Sequence, residues 1–284
     1  MSQVNTFSPT AAALPELSAA STRFIALNNI QAISGVVIKE LYRRKDFYVL
    51  FILTALITLV FGSVNFFNEE KIVRSLKEIC LFLIWGASLV IAITTTARQI
   101  PAEREHRTIF PLLAKPVTRN DLILGKFWGC WQASGLTLLV FYAFFIAISG
   151  LREHEWPLVS YFQGMVLHWF LLGVIIAMTM LGSIVFAAPS SNSTILFVVT
   201  AGIMLLARHL NKLALQMEEP SQSLVYALYY AIPHLELFDV RDLLVHNLLN
   251  IPWPIWLGAL VYASFNGAVF LTGACIAFRR KAVN

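Results

Sequence analysis

The residues whose types and spacing could do chemistry concentrate in one stretch, EREHRTIFPLLAKPVTRNDLILGK at 103–126, which lies between two apolar runs. Nucleotide binding is the first chemistry to consider, because Gly125-Lys126 resembles the end of a P-loop. That loop needs Gly, four residues, then Gly-Lys-Ser/Thr, so that backbone N–H groups can close around phosphates. Here Asn120 stands where the first glycine belongs and Phe127 where the hydroxyl belongs. No nucleotide site is built this way, and any work the chain does must draw on a partner's energy. Proteolysis fares no better. His154-Glu155 lacks a second histidine at metalloprotease spacing, and no span carries a serine or paired aspartates beside a histidine. Ion-coupled transport normally needs an ionisable group deep in a span. His168, near the start of the fourth span, is expected to be a histidine hydrogen-bonded near the headgroups; Arg208 ends the fifth span, and Asn65 and Asn266 are neutral.

The elements that must position this stretch follow from composition. Of 284 residues, 58% are hydrophobic and 13% charged, which no single soluble core could hide. An all-α polytopic membrane protein is the class implied. The net charge of +5 matches basic loops beside a membrane and does not call for nucleic acid. Cys80, Cys130 and Cys275 are odd in number, widely spaced and set in apolar surroundings, so they form neither a disulfide framework nor a metal site.

Residues 1–21 have no basic segment followed by an apolar one and are expected to be a disordered cytoplasmic tail rather than a cleaved signal. From 22 to 45, Phe24, Leu27, Ile30, Ile33, Val37 and Leu41 recur every three to four residues before a basic cluster, the pattern of an amphipathic interfacial helix. Six transmembrane helices are expected at about 47–67, 79–97, 127–149, 162–187, 193–208 and 255–278, each near the ~20 residues a bilayer requires. The remainder, 22–284, reads as a single transmembrane domain. With the N-terminus inside, fourteen Lys and Arg fall on the cytoplasmic side and seven on the other. That bias places both termini and the insert 98–126 in the cytoplasm of a plasma (inner) membrane protein. The segment 209–254 lies on the outer side, with short helices at SLVYALYYAI and ELFDVRDLLVHNLL too short to span. Asn192-Ser193-Thr194, a glycosylation-type triplet, falls on the cytoplasmic side as a polar turn.

Within the insert, Ile100-Pro101 is expected to open a short helix, with Glu103 and Glu105 in its first turn and Glu103 paired with Arg107 four residues on. Pro111 ends that helix. Leu112, Leu113, Ala114 and Lys115 then form an apolar knob before Pro116, and Thr118 or Asn120 caps a second helix that Asp121 favours and that runs into the third span.

Taken in order, Glu103, Glu105, Thr108, Leu112, Leu113, the Pro116-to-Arg119 run, Gly125 and Lys126 resemble the cytoplasmic signature of ATP-binding cassette exporter permeases of the ABC-2 (type 2) family. The resemblance covers the whole plan of amphipathic helix, six spans and outer segment, but only the insert is diagnostic. It implies a permease subunit of an ABC exporter, not catalytic by itself. Two such chains, as a homodimer or a paired homologue, would associate with a separate ATPase subunit that binds ATP and Mg, while this chain carries no cofactor. By the resemblance Glu103, Glu105, Arg107, Thr108, Leu112, Leu113, Pro116 and Arg119 form the coupling helix that meets the ATPase. Gly125 and Lys126 lie at the membrane edge, and for Arg119 and Lys126 the roles of ATPase contact and headgroup anchor stay open. The alternative is a non-transporting subunit that passes ATPase motion to an outer-side partner protein. A membrane enzyme or receptor unrelated to ATPases is a third possibility.

Overall fold

The computed structural model describes residues 19–43, 45–63, 69–105, 118–154, 156–246 and 250–281. Among these there are nine α-helices, one 3-10 helix and no strand. The helices are α1 (Ala19–Arg43), α2 (Lys45–Ser63), α3 (Glu69–Glu105), α4 (Arg119–Glu153), α5 (Leu158–Val185), α6 (Pro189–Ala214), α7 (Ser221–Ala231), α8 (Arg241–Val245) and α9 (Trp253–Arg280), with the 3-10 turn Leu235–Phe238 before α8.

Five of them, α3, α4, α5, α6 and α9, are long and apolar enough to cross a membrane. The apolar part of α2 is shorter, Phe47–Val60, and residues 64–67 of the expected first span fall outside the described residues. The chain is therefore an all-α polytopic membrane protein. In lipid a helix satisfies every backbone group internally, which is why apolar runs of this length fold this way.

Two helices are longer than the rest. At 1.5 Å per residue, the 37 residues of α3 reach about 55 Å and the 35 of α4 about 52 Å, against roughly 30 Å of hydrocarbon. Both continue past the expected spans at the end where residues 106–118 join them. Pro101 does not open a new helix there; it lies inside α3. A proline removes one ladder hydrogen bond, but Ala97 and Ile100 in the turn before it are fully buried, and packing carries the helix on to Glu105.

The centre of the bundle is α5, in which every residue from 171 to 177 is buried. It packs on α3, α4, α6 and α9. Helices in lipid lack a hydrophobic driving force between them and rely on close approach at small residues. Gly125 and Gly129, one turn apart, provide that for α1: a Cβ on Gly125 would stand 2.9 Å from Ile33 Cβ, and one on Gly129 2.9 Å from Ser34 Cα. Between α4 and α5, Trp131 and Trp169 stack at 4.7 Å, and each indole N–H donates to the other's backbone carbonyl at 3.0 and 2.9 Å. Gly135 and Gly173 leave the room for these two rings.

Candidate functional site

The projecting ends of α3 and α4 meet in a buried polar clasp. Gln99 and Glu103 are one turn apart on α3, and Lys126 faces them from the second turn of α4. Lys126 Nζ donates to Glu103 Oε1 at 2.8 Å and to Gln99 Oε1 at 3.1 Å. The lysine side chain is 6% exposed and the glutamate 20%. A desolvated ammonium needs a counter-charge and filled donors, whereas the expected Glu103–Arg107 pair along an exposed helix face would contribute only a few tenths of a kcal/mol. Arg107 lies outside the described residues; Glu103 makes its described ion pair across to α4.

The start of α4 is fixed by a capping box. Thr118, extended at φ −78° and ψ 157°, accepts from the Asp121 N–H at 3.2 Å, and the Asp121 carboxylate accepts from the Thr118 N–H at 3.0 Å. Of the two residues expected as caps, Thr118 fills the role. Asn120 instead accepts from Arg279 Nε of α9 at 3.1 Å, while Arg119 Nη1 donates to the Arg279 carbonyl at 3.4 Å. Lys281 Nζ donates to the Ile184 carbonyl at 2.7 Å, satisfying an orphan acceptor in the last turn of α5. The ends of α3, α4, α5 and α9 are thus stitched together at one level. Thr118→Ala is expected to cost about 1 kcal/mol, read as faster amide exchange confined to the first turn of α4.

The structure brings together Glu103 and Lys126, sets Arg119 against the Arg279 carbonyl of α9, places Gly125 under α1, and ends α3 at Glu105. The expectations for Arg107, Thr108, Leu112, Leu113 and Pro116 fall on residues 106–117, outside the described residues. Gln99 and Arg279 were not singled out from sequence. Gln99 carried a signal, standing four residues before Glu103 on one helix face; Arg279 carried none, 160 residues from the Arg119 that meets its carbonyl.

Further polar groups are set inside the bundle. At the opposite end Lys77, 1% exposed, is gripped by both oxygens of Glu153 at 2.9 Å, beside a Ser149–Tyr161 hydrogen bond of 2.8 Å. His168 lies deeper in its helix than the expected span boundary implied. It sits roughly three turns into α5, 1% exposed, with Nε2 2.9 Å from Ser88 Oγ and its ring stacked on Trp85. Asn192 lies in the first turn of α6 rather than in a polar turn; it is fully buried and donates to the Thr179 carbonyl at 3.1 Å. Burial, independent of topology, removes it as a modification site.

Compared with known families, residues 17–251 match the family described as ABC-2 family transporter protein. No curated protein matches the chain.

Proposed function

The chain belongs to the ABC-2 family of transporter proteins and is the membrane subunit of an ABC transporter, and from that premise we propose that it is an exporter permease driven by ATP hydrolysis in a separate ATPase subunit. The family match over most of the chain carries the reading. In it, the joined ends of α3 and α4 face the cytoplasm, both termini lie on that side of the plasma (inner) membrane, and residues 106–117 form the surface that the ATPase pushes. Glu105, Arg107, Thr108, Leu112, Leu113 and Pro116 make that contact. Lys126, Gln99 and Glu103 receive the push and pass it to both stalks together, and the α9 contacts of Arg119 and Asn120 spread it to the rest of the bundle.

Two permease chains act as a pair, each meeting an ATPase that holds the ATP and Mg. ATP binding draws the ATPases together, and hydrolysis resets the spans. The clasp supports a lever of this kind because a hydrogen-bonded buried ion pair fixes geometry more tightly than apolar contact alone.

The purified chain is expected to hydrolyse no ATP, whereas coexpression with its cognate ATPase gives a stable complex that moves cargo in reconstituted vesicles. Leu112→Asp with Leu113→Asp is expected to uncouple that complex, since two carboxylates replace an apolar docking knob. Unchanged ATPase affinity and unchanged transport in that variant would remove the docking role.

A further inference from the structure

Away from the clasp, a cavity of about 600 Å³ opens between α3, α6 and the segment that carries the 3-10 turn and α8. Its size is that of small-molecule sites, about 300–1,000 Å³. The walls are apolar, with Phe82, Trp85 and Leu89 from α3 and Phe197 and Met204 from α6, and the rim carries His209, Glu236, Asp239 and Arg241.

The rim charges are not equally available. Arg241 donates to both oxygens of Asp239 at 2.7 and 2.9 Å and lies 4.9 Å over the Trp85 ring. That carboxylate holds the guanidinium above its ordinary pKa, and the pair neutralises itself. Glu236 differs. Its Oε1 is 3.3 Å from His234 Nδ1, but its Oε2 is buried with no hydrogen-bond partner. On the apolar wall Thr200, 2% exposed, also has an unpartnered hydroxyl. Thr137 and Thr179 in neighbouring helices donate to the carbonyl four residues back at 3.0 and 2.7 Å, a common resolution for a buried threonine in a span; Thr200, like Thr96 of α3, does not. Both residues line the cavity, and a donor that reaches past the packing over these two atoms would fill them. A carboxylate oxygen can only accept, so the complementary head is a donor of positive charge.

We propose that this cavity binds an amphiphile with a hydrocarbon chain and an ammonium head, the head at Glu236 and the chain along Trp85 and Phe197. As a binding site it stands on these groups alone; as a cargo site it rests on the exporter reading. Gly86 offers a direct control, since a Cβ there meets nothing within 4 Å and a larger side chain fills the cavity without a clash at its base.

The test uses the full chain, without any ATPase subunit, in phosphatidylcholine nanodiscs, with a photoreactive twelve-carbon alkylamine and the alkyl sulfate of the same chain. The amine is expected to label residues 82–89 and 197–205 about tenfold more than the sulfate, a difference that a desolvated charge pair readily supplies. Glu236→Gln should remove most of that preference, Thr200→Val should weaken it, and Gly86→Phe should abolish labelling by both probes in a monodisperse protein. Equal labelling by the two probes, or labelling indifferent to Glu236→Gln and Gly86→Phe, makes the cavity an ordinary lipid-facing crevice and overturns the proposal. With no ATPase present, that failure leaves the exporter reading intact. Intact labelling beside absent flux in the reconstituted complex sinks the exporter reading and leaves the site.

Discussion

Lys126→Met is expected to destabilise the chain by about 3 kcal/mol, the lower end of the cost of removing one partner from a buried ion pair, because Glu103 keeps some solvent contact. In the complex with its ATPase the same change is expected to lower transport at least tenfold, roughly the effect of losing 1.4 kcal/mol or more of coupling, while ATPase affinity stays near its original value. Lys126 reaches both Gln99 and Glu103 of α3 from α4, so its loss removes the ion pair that ties the ends of the two stalks together. The double variant Lys126→Met with Glu103→Leu separates stability from transmission. An apolar pair of similar size commonly restores stability, so thermal unfolding in detergent should return towards the parent. Transport should not, since apolar contact lets the stalks slide. If transport returns together with stability, the clasp is a structural element and no part of the transmission.

Gly129→Leu is expected to be the most damaging single change of size in the described bundle. A Cβ at that position would stand 2.8 Å from Val37 Cβ, 2.9 Å from Ser34 Cα and 3.0 Å from the Ser34 carbonyl oxygen. Two of those three atoms are backbone, which cannot rotate away, so α1 must lift from α4 along its length. Overpacking costs of about 1–3 kcal/mol assume that side chains yield, and here the cost should reach or pass the upper figure. The reading is a lowered melting temperature with faster amide exchange throughout α1. Gly258→Leu is the control, because nothing lies within 4 Å of a Cβ there; a comparable loss in that variant would assign the effect to bulk alone.

The class and five of the six expected spans were legible because a membrane reduces the question to lengths of apolar sequence, whereas the first shows only the shorter apolar run Phe47–Val60 among the described residues. The ends were less so. Residues 98–105 carry Arg98, Glu103, Arg104 and Glu105 and a proline, which by composition read as a loop with its own short helix, yet α3 runs through them. Tertiary packing of Ala97 and Ile100 outweighed local propensity. The candidate site was half visible. Glu103 and Lys126 were both singled out, but their pairing was not, since a glutamate and a lysine 23 residues apart carry no periodic signal that they will meet. His168 is about one turn deeper in its helix than expected, because the span was started four residues late; α5 begins at Leu158. Asn192 was read as a turn because Pro189 to Thr194 is polar, although Pro189 begins α6 and the asparagine points into the bundle.

The central claim is that residues between α3 and α4 take a push from an ATPase on the cytoplasmic side. A photo-crosslinking amino acid at position 113, in the chain coexpressed with its cognate ATPase in intact membranes, tests it most directly. The account predicts one dominant crosslinked species, the permease joined to the ATPase, whose yield changes when ATP is supplied. A probe that never captures the ATPase, while one placed at the far end of the bundle does, would contradict it.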